Sequence, residues 1–591
     1  MRTQSFVAVL CVFLMLAPVP GMAQSAFTRP VGNLVGRYQW RPEAPANLAN
    51  SSRLEALIRA GRIYLSLQDT IALALENNLD IELQRYSLRS VDADLLRARA
   101  GGGTVPNFDP TATFNYNWQH ITNPQTSSFN TGSSSLVNTQ KIANFGVSQG
   151  FVTGTNVSFA WNNTMSRSNS GRSDFNPYTS ANFNLQASQK LLQGFGRALN
   201  NRNIRVAKNN LKVSDLAFRQ QVIATVSTVI GQYWDLVSFN EDVKVKRQAL
   251  ALAEKLRGDN QKQVEIGTLA QIEVVRAEAQ VASSQQDLTV SETRVLQQET
   301  ILKNALSRTG VASPAVAEAH IVCMDQIRVP DVEPIQPIQD LISGALDERP
   351  ELGQSKLQVE NSKISLAGTK SALKPTLDLV GSLQNSGLAG QINSLPIPPV
   401  PGASGTTQAR NPNAVDSFFL GGYGTVMSQL FARNFPNYAI GFQLNIPLRN
   451  RPAQADMIQT QIALRQEEIK QQQLVNQIRV DVTNALIAVQ QARAAYQAAV
   501  KSRELQEQTL SAEEKKYALG ASTVFLVVQS QKDLAQASSV EVAARSSYTK
   551  AKNSLDQATG RTLSANGIQI EEAKSGRVAR APSALPPPGQ N

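Results

Sequence analysis

The sequence predicts an α+β chain in which strands that are apolar on one side alternate with helices too long for a compact enzyme, the whole order running twice. Three observations predict it. From Asn203 to Ile266 there is no proline and only two glycines, Gly231 and Gly258, and from Ala453 to Leu519 there is neither. Three separate segments alternate apolar and polar residues with period two. Sequence echoes link the two halves.

At the N-terminus, Arg2, the short apolar run Phe6–Leu16 and the small-residue stretch Gly21-Met22-Ala23 form an export signal over 1–23. The run is too short to span a bilayer, and no later segment has about 18 uninterrupted apolar residues. Cys11 follows Leu10 within the run and is not a lipidation site. After cleavage Cys323 stands alone, so no internal disulfide forms, and its Val-Cys-Met setting predicts a small buried hydrophobe. A net charge of +11 is spread along the helical regions without a dense basic tract, which excludes nucleic acid as a natural partner.

The halves echo one another. Leu67-Gln68-Asp69-Thr70-Ile71 and Ile338-Gln339-Asp340-Leu341-Ile342 open similar helices, and Glu265-Ile266-Gly267-Thr268 is matched by Ala518-Leu519-Gly520-Ala521. The organisation expected is an N-terminal segment 24–65, a first repeat 66–330 and a second repeat 331–565. Strands lie near 108–190 and 376–447, and helical hairpins near 200–307 and 452–560. Residues 566–591, rich in proline at their end, are expected to be a disordered tail able to touch the outside of the helices.

The long runs would reach roughly 95–100 Å as helices. Val475, Ile478, Val482, Ala485, Val489, Ala492, Tyr496 and Ala499 step by three and four, as do Val222, Val226, Val229, Tyr233 and Leu236. Such a stripe packs against a partner helix. Ile223, Ile230 and Val237 add a second seam, which suits a helix between two neighbours in a wall; a two-stranded coiled coil is the plainer alternative.

Even positions are apolar in 112–118 and 438–446, odd ones in 181–187, and the opposite face is Thr, Asn, Gln and Ser. That pattern suits a transmembrane barrel with lipid outside and water inside, with Trp118, Trp161, Tyr116 and Tyr178 at the bilayer interfaces. A soluble sandwich shares the alternation. Thr122–Lys141 and Asn385–Asn437 read as extracellular loops. A further hairpin over Phe145–Trp161, turning near Thr153-Gly154, is either an extension of the neighbouring strands or an additional pair. Two strands per half are too few to close a barrel, and an open edge is not tolerated in lipid, so several copies must share one axis.

The helix opening Leu65–Asn78, the strand exit Ser188–Gly194 and the two glycine-bearing helical turns, in duplicated order, resemble the TolC family of outer-membrane efflux proteins, over roughly Ser66 to Gly560. The resemblance implies a homotrimer whose strands pool into one barrel, embedded in outer-membrane lipid, and whose helices pool into a periplasmic coiled-coil tube. It implies a passive exit duct of a tripartite efflux pump or type I secretion system, with a periplasmic adaptor and an inner-membrane transporter as partners. It also implies that the hairpin tips at Gly267 and Gly520 close the duct and meet the adaptor. By matching positions Glu273 is the acidic tip residue and Tyr517 the tyrosine that binds it. Ser522 replaces a basic partner, and Leu526 and Gln529 replace two acidic positions at the entrance. The resemblance therefore does not extend to salt-bridge gating or cation selection at that ring; the apolar run Thr523–Val528 suggests a hydrophobic constriction or an adaptor contact.

An enzyme finds no residues here. Histidines are limited to His120, expected near a barrel rim, and His320, in the connector, and no zinc spacing, P-loop or dinucleotide fingerprint occurs. Gly194-Phe195-Gly196-Arg197 reads as a strand-to-helix turn rather than an anion cradle. No cofactor or metal is expected. The alternative reading is a secreted or periplasmic coiled-coil scaffold or adhesin without a pore.

Overall fold

The computed structural model describes residues 45–101, 108–129, 131–330, 337–399 and 405–583. The export signal expected over 1–23, the part of the N-terminal segment up to residue 44 and the proline-rich end lie outside them. The unit from Asn50 onward is described here.

Helices α1 (Leu67–Asn77) and α2 (Leu79–Arg99) meet at a sharp corner. Ser66 caps α1 by accepting the Asp69 amide, and Asn78 caps α2 by accepting the amides of Asp80 and Ile81. Four strands follow: β1 (Thr111–Pro124), β2 (Ser135–Gly150), β3 (Thr155–Ser168) and β4 (Phe175–Lys190). The chain then runs down α3 (Arg202–Ile266) and back along α4 (Gln271–Leu306). In the second half come α5 (Ile338–Glu348), α6 (Pro350–Ala372), β5 (Thr376–Ile392), α7 (Tyr423–Phe431), β6 (Pro436–Asn445), α8 (Arg451–Ala518) and α9 (Val524–Ala558). At about 1.5 Å per residue, α3 and α8 extend for roughly 97 and 102 Å.

The helices form a single-layer wall. Next to the strands the order across it is α2, α3, α6, α8; toward the far end α4 continues beneath α2 and α9 beneath α6, giving α4, α3, α9, α8. The stripes read from the sequence are what they bury. Val222, Val226, Val229, Tyr233 and Leu236 are shielded almost completely, as are Ile223, Ile230 and Val237 of the second seam. The apolar part of α3 is thus used in packing. On α8, Ile478, Val482, Val489 and Ala499 are buried and the intervening members half-buried.

The largest buried apolar cluster lies at the equator of the wall, where its two helical tiers, the one next to the strands and the one toward the far end, meet. Strand 62–65 pairs in parallel with 320–323 and antiparallel with 58–59. Leu57, Leu65, Leu73, Tyr233, Leu236 and Leu302 pack against this small sheet. The Tyr233 hydroxyl donates to the Leu65 carbonyl (3.1 Å) and to Asp325 (2.8 Å), and Asp325 also accepts the Leu67 amide at 2.6 Å. Cys323 is half-buried beside this cluster. Burial, then the nearby carboxylates Glu299 and Asp325, push its thiol up to about 12.

Three expectations are corrected. Within Thr122–Lys141 only 125–134 lies outside strands. Within Asn385–Asn437, β5 continues to Ile392, α7 forms, and β6 begins at Pro436. As for the tail 566–591, its described part is ordered. Ile570–Ser575 is helical with Ala573 fully buried, the Val578 amide donates to Glu76, Arg53 donates to the Val578 carbonyl, and the Ser583 amide donates to Asp69. The buried Arg53, Asp69 and Glu76 hold this segment against α1 through its backbone, which its polar, proline-bearing composition hides.

Candidate functional site

The strands make one antiparallel sheet in the order β1-β2-β3-β4-β5-β6. Register decides what each face carries, because side chains alternate along a strand. Phe114 faces Phe145, Phe145 faces Trp161, and Trp161 faces Phe183; Leu383 faces Tyr438 and Leu379 faces Phe442. The aromatic and aliphatic residues of these alternating runs therefore share one face, which also carries Lys141 and Arg167 on β2 and β3. Trp161 and Phe159 lie about 6 Å from Phe183. Phe114 is 69% exposed, Tyr438 81% and Phe442 71%, an open apolar surface unlike that of a water-soluble monomer.

The other face is built of amides and hydroxyls that bond across strands. Asn162 donates to Asn182 (3.0 Å), Ser166 to Asn138 (2.7 Å), and Thr111 and Ser148 lie 2.8 Å apart. Its charged residues, within the described strands, are Lys190 and Asp378, paired in register at the end nearest the helices. A sheet apolar on one face and neutral-polar on the other fits a wall between lipid and water. Trp118, Trp161 and Tyr116 lie on the apolar face. Tyr178 does not: it shares the polar face with Ser180 and Asn182. His120 lies on β1 with its ring stacked on Trp118 at 6.5 Å and Nδ1 2.8 Å from Thr139.

The undecided hairpin is a full pair of strands. β2 pairs with β1 from Ser135 to Ser148, and β3 pairs with β4 from Thr155 to Ser166. Its turn sits on the strand-to-helix corner: the Lys190 amide donates to Gly154, and the Gly196 amide to Thr153. Gly194 and Gly196 both have positive φ there, as a tight turn into a helix requires.

β6 is shorter than β5, which would leave the end of β5 unpaired. Helix α7 and its flanks cover that end. Gln429 accepts the Leu388 amide (2.9 Å) and donates to the Phe418 carbonyl (3.1 Å), while the Ser386 amide donates to Phe435. Val426 and Leu430 pack on Ala181 and Ala389, and a Cβ on Gly387 would lie 2.8 Å from the Val426 carbonyl oxygen. Sequence inspection missed this helix, whose signal is the cluster Phe418, Phe419, Phe431 and Phe435.

At the far end the two helical hairpins turn alike. Gly267 and Gly520 have φ of 81° and 74°, a left-handed backbone that glycine adopts freely. The Gly267 and Thr268 amides donate to Val264 and Gln263; the Gly520 and Ala521 amides donate to Tyr517 and Lys516. Leu256, Leu510, Val524 and Val527 form a buried cluster beneath both turns. The run Thr523–Val528 is therefore split: Val524 and Val527 are core, whereas Phe525 and Leu526 are exposed.

The predicted bond between Tyr517 and Glu273 is not formed. The Tyr517 hydroxyl donates to Asn260 (3.1 Å) and Gln263 (3.0 Å) on α3. Glu273 accepts from Arg276 at 2.7 Å through one oxygen, and its other oxygen is buried with no hydrogen-bond partner among the described residues. Burial raises the Tyr517 hydroxyl above its ordinary pKa, with Glu273 and Asp259 adding to the shift and the Gln263 bond opposing it. Ser522 donates to Glu513 at 2.7 Å, and Gln529 to Asp533 at 2.8 Å. Asn260, wholly shielded, is the tip residue that sequence reading overlooked.

A sequence profile of the outer membrane efflux protein family matches residues 157–308 and 341–561. The chain belongs to that family. It is an outer-membrane channel that extends into the periplasm, a passive duct for efflux. No curated protein sequence matches it. Among solved structures it resembles the CmeC outer membrane channel of Campylobacter jejuni, at 14% identity and a TM-score of 0.57, covering 95% of this chain and 99% of that one. VceC of Vibrio cholerae gives 13% identity and a TM-score of 0.56 over 84% and 96%. The open MtrE channel of Neisseria gonorrhoeae gives 17% and 0.52 over 84% and 89%. These likenesses concern the fold.

Proposed function

We propose that three copies of this chain assemble around one axis into a transmembrane barrel continuous with a helical tube, forming the exit duct of a tripartite export machine. One observation carries this: a sheet with a lipid-type face and two unpaired edges, β1 and β6, sits on the same chain as helices about 100 Å long. β1 runs away from the helices and β6 runs back, so β6 of one copy can pair antiparallel with β1 of the next and leave no edge in lipid. The helical order in both layers, and the echo of 66–330 in 331–565, fit two structural repeats per chain.

The tips at Gly267 and Gly520 form the periplasmic mouth in this reading. Phe525 and Leu526 face outward to a neighbouring copy or to a periplasmic adaptor, and the free oxygen of Glu273 takes a donor from that neighbour. An inner-membrane transporter supplies the energy and chooses the cargo. The test is purification in detergent followed by reconstitution. The expected result is a trimer that dissociates only on heating and conducts ions in planar bilayers. A soluble assembly without conductance would leave the scaffold reading in its place.

A further inference from the structure

Resting on the three-copy duct proposed above, we propose that the β2–β3 hairpin belongs to the membrane wall itself, so that the barrel has eighteen strands and is as wide as the tube beneath it. Each chain lines up six strands in one sheet. β2 and β3, of 16 and 14 residues, exceed the roughly 9–11 residues that a tilted strand needs to cross the hydrocarbon. Both are paired along their length on both sides, to each other and to β1 and β4. The apolar face continues through them by way of Ala143, Phe145, Val147, Val157, Phe159 and Trp161, interrupted by Asn163 and, toward the far end of the strands, by Lys141 and Arg167. The opposite positions Asn144, Ser148, Asn156, Ser158 and Asn162 continue the amide and hydroxyl face.

Arc lengths point the same way. With strands about 4.8 Å apart and tilted by about 40°, each strand takes roughly 6 Å of circumference, so six take about 38 Å. Four helices side by side, about 9 Å apart, take about 36 Å. Sheet and helical wall therefore span equal arcs in each copy. Without the hairpin the sheet would take only about 25 Å, and the barrel would pinch below the tube. Three copies of the full sheet close at roughly 36 Å between opposite backbones, against about 24 Å for the sheet lacking the hairpin. The barrel lumen is then lined by neutral amides and hydroxyls, apart from the paired Lys190 and Asp378 at the end nearest the helices. It passes bulky polar cargo without sorting it by charge.

The test uses the full-length protein reconstituted in lipid nanodiscs, in a Cys323→Ala background. Electron cryo-microscopy counts the strands, and single cysteines are probed with a membrane-impermeant maleimide. Eighteen strands are expected, with Asn144→Cys and Ser158→Cys labelled, Val147→Cys and Phe159→Cys unlabelled, and the controls Gln443→Cys labelled and Phe442→Cys unlabelled. Twelve strands in the wall, with labelling of both faces of the hairpin but alternation at the controls, would overturn this inference and leave the duct standing. Labelling at both controls would remove the duct as well. Should one cysteine variant fail to assemble, the strand count on the unsubstituted protein still decides.

Discussion

At the junction of the helical layers, Leu73, Tyr233, Leu236 and Leu302 are shielded by their own chain, whereas on the sheet Phe114, Tyr438 and Phe442 leave most of their surface bare. The two regions are equally apolar in composition at these positions, so hydrophobicity alone does not separate them. What differs is where the covering atoms come from. The equatorial core is shielded within one chain and holds polar groups that bond to one another, as in the Tyr233–Asp325–Leu67 set. In the three-copy duct proposed above, the sheet is completed by lipid against its apolar face and by further strands on its edges. On that reading one chain couples a part that can fold before assembly to a part whose stability arises from assembly and membrane insertion.

The sharpest way to break this contrast is to damage each region and ask whether assembly matters. Leu302→Ala removes a wholly buried side chain from the equator and should cost about 2–5 kcal/mol. The loss should appear in urea unfolding of the helical part whether or not the protein is trimeric, read by far-ultraviolet circular dichroism in detergent. A loss seen only in trimers would mean that the equator, too, needs its neighbours. Phe442→Lys places a charge on the lipid face and should cost about 2–4 kcal/mol if the site lies near the bilayer midplane. Here the helical part should unfold as before while trimer yield in membranes falls. Unchanged trimer yield would argue that β6 does not face lipid.

The contrast also explains what could be read in the sequence. Long helices were legible because their limits are set by local chemistry: α3 ends at Gly267 with a left-handed turn, and no proline interrupts α8 after its first turn. The buried stripes were legible because three–four spacing fixes a face whatever the partner is. On the sheet, the alternation in 112–118, 181–187 and 438–446 gave the faces, since register only has to preserve period two. β2 and β3 were harder. Ile142 falls on their polar face and Asn163 on their apolar one, so the period blurs there although the pairing is continuous. Helix α7 and the segment 570–583 escaped for another reason. Helix α7 is tied by its own Gln429 to the backbone of distant β5, and the segment 570–583 is held through its backbone by the distant side chains of Arg53, Asp69 and Glu76; no local pattern records which segments such contacts join.

The tips sharpen the comparison at the smallest scale, because there a buried polar group meets an exposed one. Tyr517→Phe would strip Asn260 of the hydroxyl donor at a wholly shielded position, a cost of about 1–3 kcal/mol. Glu273→Gln would remove an ion pair whose Arg276 side chain is largely in solvent, worth about 0–1 kcal/mol. Both changes should loosen the mouth and raise single-channel conductance, Tyr517→Phe more than Glu273→Gln. The pair also separates the geometry from the resemblance. A tyrosine bonded to Glu273 would make the two substitutions strongly non-additive, whereas a tyrosine bonded to Asn260 and Gln263 leaves them only weakly coupled. Tyr517→Phe combined with Asn260→Leu should then show the stronger coupling, because replacing both partners leaves no Asn260 amide oxygen without a donor. A cycle with coupling at Glu273 and none at Asn260 would place the latch at the carboxylate instead, and would mean that the hydroxyl swings across the tip when three copies come together.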